Sequence, residues 1–133
     1  MDTDMREYQR KTGKYILPGN MYMQTIYQIR DYYRLKEEAE RILEESADPP
    51  DGQPKSKSEV SDPERKAMRR ERMLHIIEII DDAKAIIPEE YRKGVWDNVM
   101  HRTAFPTDAD RVTYGRYKSL FVYTIAREIF FLD

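Results

Sequence analysis

The chain has 133 residues, of which 36% are charged and 40% hydrophobic, and its formal net charge is -2. It contains no cysteine and only two histidines, which excludes disulfides, thiolate metal sites and iron–sulfur clusters. No apolar run approaches the roughly 20 residues that a membrane-spanning helix needs, and the first residues have no apolar core. We therefore expect neither a membrane segment nor a secretory signal.

Glycine and proline divide the chain, and the stretches between them have helical periodicity rather than strand alternation. We therefore predict an all-α fold in a single domain. Residues 1–17 are predicted to be a flexible N-terminus. A first helix is predicted over residues 18–46, because Tyr22, Ile26 and Ile29 recur at helical spacing.

The clearest break in the chain is the segment 47–61, which holds three prolines, a glycine and no large apolar side chain except Val60. Such a segment cannot bury enough surface to offset its ordering entropy, so we predict an exposed linker. A second helix is predicted over residues 62–87, with Pro63 in its first turn as a start signal. The linker is long enough for the two long helices to fold back as an antiparallel hairpin.

Residues 88–132 are predicted to form a C-terminal helical unit. Pro88 ends the second helix and starts a third, which includes Trp96 and leads into a short connection over residues 102–111. A final helix is predicted from about Val112 onward, because aromatic and aliphatic residues recur there at the spacing of a buried helix face.

The sequence contains no constellation of residues that resembles an active site. Adjacent acidic residues such as Glu89 and Glu90 point about 100° apart on a helix, so they do not converge on one site. His75 and His101 are not at ligand spacing, and no phosphate-binding or nucleophile motif occurs. We expect no enzyme activity, no cofactor and no metal.

The window 111–127 contains four basic residues and no acidic residue. In a chain with 25 acidic and 23 basic residues, this window is a local positive field. Thr113, Arg116 and Ser119 share one side of the predicted helix, and a major-groove reader requires such a face. Spacing alone favours the alternative, an ordinary amphipathic helix that completes the bundle.

The order of several motifs points to a known family. D-G-Q-P at residues 51–54 precedes S-D-P-E-R-K-A at 61–67 and P-E-E-Y-R-K-G-V-W at 88–96, and the chain closes with T-Y-G-R-Y-K-S-L-F-V-Y-T-I-A-R-E-I at 113–129. This order resembles small phage and prophage proteins related to the RinA-type activators of late phage genes.

The resemblance implies a C-terminal unit similar to the helix-turn-helix of sigma-factor region four, in which the final helix reads double-stranded DNA. It implies a cytoplasmic regulator of transcription in a bacterial host. Base contacts are expected from Thr113, Arg116 and Ser119. Phosphate contacts are expected from four basic residues: Arg111, Lys118, Arg102 and Lys93. A second copy of the chain and RNA polymerase remain open as protein partners.

A protein–protein interaction or phage assembly module without DNA binding is the alternative function. In that case the 111–127 face contacts an acidic protein surface. Arg116 and Lys118 discriminate between the two hypotheses. Their joint exposure favours DNA binding, whereas their pairing with Asp108 and Asp110 favours the interaction module.

Overall fold

The computed structural model describes residues 9–47 and 62–130. Within these residues the chain forms five helices and no strand, which confirms the all-α prediction. The helices are α1 (Gly19–Arg30), α2 (Tyr32–Ala47), α3 (Asp62–Ile86), α4 (Glu89–His101) and α5 (Arg111–Phe130). None of these five helices combines the length and the apolarity that a membrane crossing requires. The predicted linker lies almost wholly outside the described residues, as do the first eight residues of the predicted N-terminus.

The single helix predicted over residues 18–46 is two helices in the structure. α1 ends at Arg30 and α2 begins at Tyr32, and Asp31 lies between them with φ -82° and ψ 0°. The Asp31 backbone N–H donates to the carbonyl of Gln28 at 3.2 Å, which is a 3₁₀-type bond. This tightening of the last turn ends α1 without a glycine or a proline.

The described part of the chain divides into two compact units. The first unit comprises the described residues up to Asp31 and from Ile79 onward. The second unit runs from Tyr32 to Glu78 and lacks the residues between α2 and α3 that are not described. One boundary therefore coincides with the break between α1 and α2, and the other falls inside the continuous helix α3.

In the first unit, α1 packs against α4 and α5, and α4 packs against α5. The three helices meet through apolar residues that recur every three or four positions, as an amphipathic helix requires. The largest fully buried apolar side chains of this unit are those of Tyr114, Phe121, Ile26, Ile29, Ile80, Ile87, Ile125, Val95, Val99 and Val122.

α4 and α5 approach each other closely at Gly94. A Cβ atom on Gly94 would lie 2.6 Å from Cε1 of Tyr114 and 2.8 Å from Cδ of Pro106, which is closer than packed atoms can come. Tyr114 has no room to retreat, because its ring stacks on Phe105 and meets Tyr91 edge-on, each at a centroid distance of 5.3 Å. The absence of a side chain at Gly94 therefore permits the close packing of α4 against α5.

In the second unit, α2 and the first part of α3 run antiparallel. Arg69 lies 3.5 Å from Glu38, and Lys66 lies 3.2 Å from Glu45. The residue numbers of the paired side chains therefore rise along α2 as they fall along α3. Arg70 also donates through Nε to a backbone carbonyl of α2 at 3.0 Å. The antiparallel pairing predicted for the two long helices is therefore found between α2 and the first part of α3, and basic side chains of α3 hold it.

Candidate nucleic-acid interface

α5 has one buried face and one exposed face. The buried face includes Tyr114, Phe121 and Ile125 and packs into the core of the first unit. Arg116 and Arg127 are exposed on the opposite side. They are eleven residues apart, which corresponds to about 16 Å along the helix axis. The outward face of α5 therefore carries two separated positive charges.

The three arginines of α5 have no acidic partner within the described part of the chain. Arg111, Arg116 and Arg127 form no ion pair with any described carboxylate, although other arginines of the molecule do. No acidic residue lies between Arg111 and Arg127. Their charges are therefore not neutralised within the described part of the chain.

The acidic residues that precede α5 are engaged by other groups. Oδ1 of Asp108 accepts a hydrogen bond from the Tyr114 hydroxyl at 2.7 Å. Oδ1 of Asp110 accepts the backbone N–H of Val112 at 3.0 Å, and its carbonyl accepts the next two N–H groups. Asp110 is therefore the N-cap of α5. The pairing of these two carboxylates with Arg116 and Lys118, which the interaction-module hypothesis expects, does not occur.

The Asp108–Tyr114 hydrogen bond joins the connection before α5 to the core. Burial is the main cause that raises the pKa of Tyr114 to about 12, and the hydrogen bond to Asp108 adds to the effect. The hydroxyl therefore stays protonated well above neutral pH and remains a donor. As long as it donates, Asp108 stays oriented toward Tyr114.

The residues of α5 predicted to contact DNA lie on different faces. Thr113 and Ser119 are half-buried, Arg116 is exposed, and Arg111 is exposed at the first residue of the helix. Lys118 is only 7% exposed and faces the core side, about 200° from Arg116 on the helix. Lys118 therefore does not share an exposed face with Arg116, and its burial does not support the predicted phosphate contact.

The two predicted contacts on the α4 side are both exposed. Nζ of Lys93 lies 2.6 Å from Oδ2 of Asp97, so its charge is locally balanced. Arg102 follows α4 with φ 57° and ψ 27°, a left-handed conformation that costs a non-glycine residue about 1–2 kcal/mol. Arg102 is the C-cap of α4, and its N–H donates to the carbonyl of Asn98 at 3.0 Å, so this conformation serves to end the helix.

A cleft of about 770 Å³ lies along the core side of α5, within the first unit. Its walls come from the N-terminal segment, from α4, from the α4–α5 connection and from α5. The residues lining it include Gln9, Arg10, Tyr22, Asn98, Phe105, Pro106, Arg111, Val112, Lys118 and Ser119. Three predicted contacts, Arg111, Lys118 and Ser119, thus lie at this cleft.

The N-terminal wall of the cleft belongs to the segment predicted to be flexible. The side-chain amide of Gln9 donates to the carbonyl of Leu17 at 2.7 Å and accepts the Leu17 N–H at 2.6 Å. Leu17 is buried, and Tyr15 packs against Tyr123 of α5 at a centroid distance of 5.4 Å. Residues 9–17 are therefore tied to the first unit, and they bring Arg10 to α5.

Sequence reasoning missed Arg10 and Asn98. The sequence does contain a signal for Asn98. It lies between Val95 and Val99 on an apolar stripe, where a polar side chain is unusual and indicates a specific role. No signal exists for Arg10, whose place beside Gly115 depends on the tertiary fold.

The comparisons with known proteins found no family model, no curated protein and no solved structure that matches this chain.

Proposed function

We propose that the chain is a DNA-binding regulator of transcription, of the phage-derived kind that its motif order resembles, and that α5 binds double-stranded DNA through its outward face. The observation that carries the proposal is the exposure of Arg116 and Arg127 on an acid-free helix face, with no ion-pair partner among the described residues. Unpaired guanidinium groups are the donors that guanine edges and phosphates recruit.

The neighbours of Arg116 suit a major groove. Val112 lies one turn before Arg116 and is 44% exposed, so it offers an apolar surface to a thymine methyl group. Thr113 and Ser119 flank the same side of α5 and supply hydroxyls for base edges or phosphates. Arg116 is therefore the proposed base reader. Leu120 and Tyr123, one and two turns further along the same side, are half-buried, and Tyr15 packs against Tyr123.

Phosphate contacts are assigned to the basic residues around this face. Arg111 at the start of α5 and Arg127 near its end bracket the reader, and Arg102 after α4 is a further exposed cation. Lys93 is exposed too, but it adds no net charge because it is paired with Asp97. Each neutralised phosphate makes the affinity fall more steeply with salt concentration. Lys118 is left out of this set because it is buried.

Binding is tested by titrating the full chain into duplex DNA from the neighbourhood of its own gene, at several salt concentrations, with fluorescence anisotropy. We expect the logarithm of the affinity to fall linearly with the logarithm of the salt concentration. Arg116→Ala is expected to cost about 1–3 kcal/mol on the preferred sequence and to relax specificity. Arg127→Ala is expected to weaken all sequences alike and to reduce the salt slope by about one.

Arg72→Ala is the matched control, because Arg72 is an exposed arginine of α3 in the second unit. It makes the same change in net charge as Arg116→Ala but does not touch α5. If Arg72→Ala and Arg116→Ala lower the affinity for DNA equally, binding depends only on net charge, and the proposal is contradicted. Binding that is absent or insensitive to salt would contradict it as well.

An interaction module remains the second candidate because the second unit exposes large apolar side chains. The exposed residues are Tyr33, Leu43, Met68 and Leu74. Exposed apolar surface of this kind is typical of contacts between chains. Chain association that persists without DNA and a chain that binds no duplex would together favour this function.

A further inference from the structure

Asn98 of α4 has a buried oxygen that is not hydrogen-bonded. The residue is 2% exposed, and its Oδ1 has no hydrogen-bond partner among the described residues. Its Nδ2 donates to the carbonyl of Thr103 at 2.8 Å. Because a carbonyl can only accept, this bond fixes which end of the amide is the nitrogen. The remaining atom is therefore an acceptor, and it needs an N–H or O–H donor from outside the described residues.

The cleft beside Asn98 has the size and charge of a site for a small anion. Its volume of about 770 Å³ lies within the range of small-molecule sites, roughly 300–1,000 Å³. Arg10, Arg111 and Lys118 line it, and none of the described residues that line it is acidic. The backbone N–H groups of Val112, Thr113 and Tyr114 do not supply the attraction, because Asp110 accepts all three. The positive field of the cleft therefore comes from side chains.

The cleft also has aromatic walls. Tyr22 and Phe105 both line it. Phe105 is held in place by stacking on Tyr114, with ring planes 12° apart, so this wall is preformed. A flat ring can pack against such a surface while a charged group reaches the cations.

We propose that the cleft binds a nucleoside monophosphate. The phosphate meets the cations Arg10 and Arg111, the base packs against Phe105, and an N–H of the base donates to Oδ1 of Asn98. An N–H of the base supplies the donor that the orphan oxygen lacks. The proposal goes beyond DNA binding, because neither Arg116 nor Arg127 lines the cleft, although Arg111 and Ser119 are shared with the proposed DNA contacts.

Isothermal titration calorimetry on the full chain tests the site, with the four common ribonucleoside monophosphates, their nucleosides and inorganic phosphate as separate titrants. We expect one monophosphate to bind at least about tenfold more tightly than both its nucleoside and phosphate. No binding of any monophosphate at about 1 mM would overturn the proposal. Phosphate that binds as tightly as every monophosphate would also overturn it, because the base would then contribute nothing.

A pair of variants places the ligand on the molecule. Arg10→Ala removes a cation of the cleft that lies outside every helix, and it is expected to weaken the monophosphate at least about tenfold. Arg116→Ala removes the same charge from the outward face and is expected to leave the monophosphate affinity unchanged. Equal weakening by the two variants would indicate binding by net charge and overturn the proposal. Circular dichroism checks that both variants retain the helical fold.

The side-chain amide of Asn98 gives a direct readout of the hydrogen bond. In a nitrogen-15 correlation spectrum its two amide protons form a resolvable pair, and we expect that pair to shift on addition of the monophosphate. A shift confined to other residues would place the ligand elsewhere and overturn the site. Of the two variants Arg10→Ala and Arg116→Ala, only Arg116→Ala is expected to impair DNA binding, so failure of the cleft and failure of the DNA proposal remain distinguishable.

Discussion

Tyr114 makes the stability of the first unit depend on pH in the alkaline range. Its pKa is raised from the ordinary value of 10.0 to about 12, first by burial and then by the hydrogen bond to Asp108. The folded chain therefore holds the phenolic proton more tightly than the unfolded chain does. This contribution to stability is fully present below pH 10 and is lost as the pH rises from 10 toward 12.

We expect Tyr114→Phe to reduce the dependence of stability on pH in that range. The variant loses the hydrogen bond to Asp108, at a cost of about 1 kcal/mol near neutral pH. Between about pH 9 and about pH 11, however, its free energy of unfolding should fall less than that of the parent chain. Urea unfolding followed by circular dichroism at each pH measures both effects. Equal losses in the two chains would contradict a raised pKa at Tyr114, because the other tyrosines are common to both.

The burial of Lys118 can be predicted from its position on the helix but not from its residue type. Its helical phase places it with Tyr114 and Phe121, on the buried side of α5. Lysine is rarely buried, so its chemistry suggested exposure beside Arg116. The helical phase predicts the burial of Lys118 correctly, because a helix that packs against two neighbouring helices buries every side chain on its inner face. The neighbour that forms the cleft with Lys118, Arg10, is set by the tertiary fold and could not be predicted.

Gly94 permits the close contact between α4 and α5. Replacing it changes two contributions to stability, helix propensity and side-chain packing, in opposite directions. Gly94→Ala gains up to about 1 kcal/mol of helix propensity, but its new Cβ would lie 2.6 Å from Tyr114. We expect the clash to dominate and the variant to lose about 1–3 kcal/mol in the free energy of unfolding. Urea unfolding measures the loss.

Gly115→Ala is the matched control for this prediction. It is the same substitution in the partner helix α5, and its Cβ would lie 3.6 Å from Cδ of Arg10, an ordinary contact. We expect this variant to be as stable as the parent chain, or more stable by up to about 1 kcal/mol. A shift of the same sign and size in both variants would show that propensity, and not the close approach at Gly94, decides the outcome.

The break at Asp31 shows why some element boundaries could not be predicted. The apolar spacing that runs through Ile26 and Ile29 of α1 continues through Tyr32 and Leu35 of α2, so the period gives no sign of an end. The dihedral angles of Asp31 depart from a helix mainly in ψ, a small change that needs no special residue. α3, in contrast, ends one residue before the predicted position because Pro88 marks the limit chemically.

At the scale of the whole molecule, the two units differ in how much of their helix surface is buried. α5 is covered by both α1 and α4, whereas the second unit consists of two helices within the described residues. Two helices bury only one face of each, and most helix stability in proteins comes from such burial. The second unit is therefore expected to open locally at a lower free energy than the first.

α3 provides an internal test of this difference, because it passes from one unit to the other without a break. Its residues 62–78 belong to the second unit, and Ile79 onward belongs to the first. Hydrogen exchange measured by NMR should give amides after Ile79 a higher opening free energy than those before it, although both lie in one helix. Equal protection along α3 at every protein concentration would contradict the division. Protection of 62–78 that rises with concentration would instead assign the exposed Met68 and Leu74 to a contact between copies of the chain.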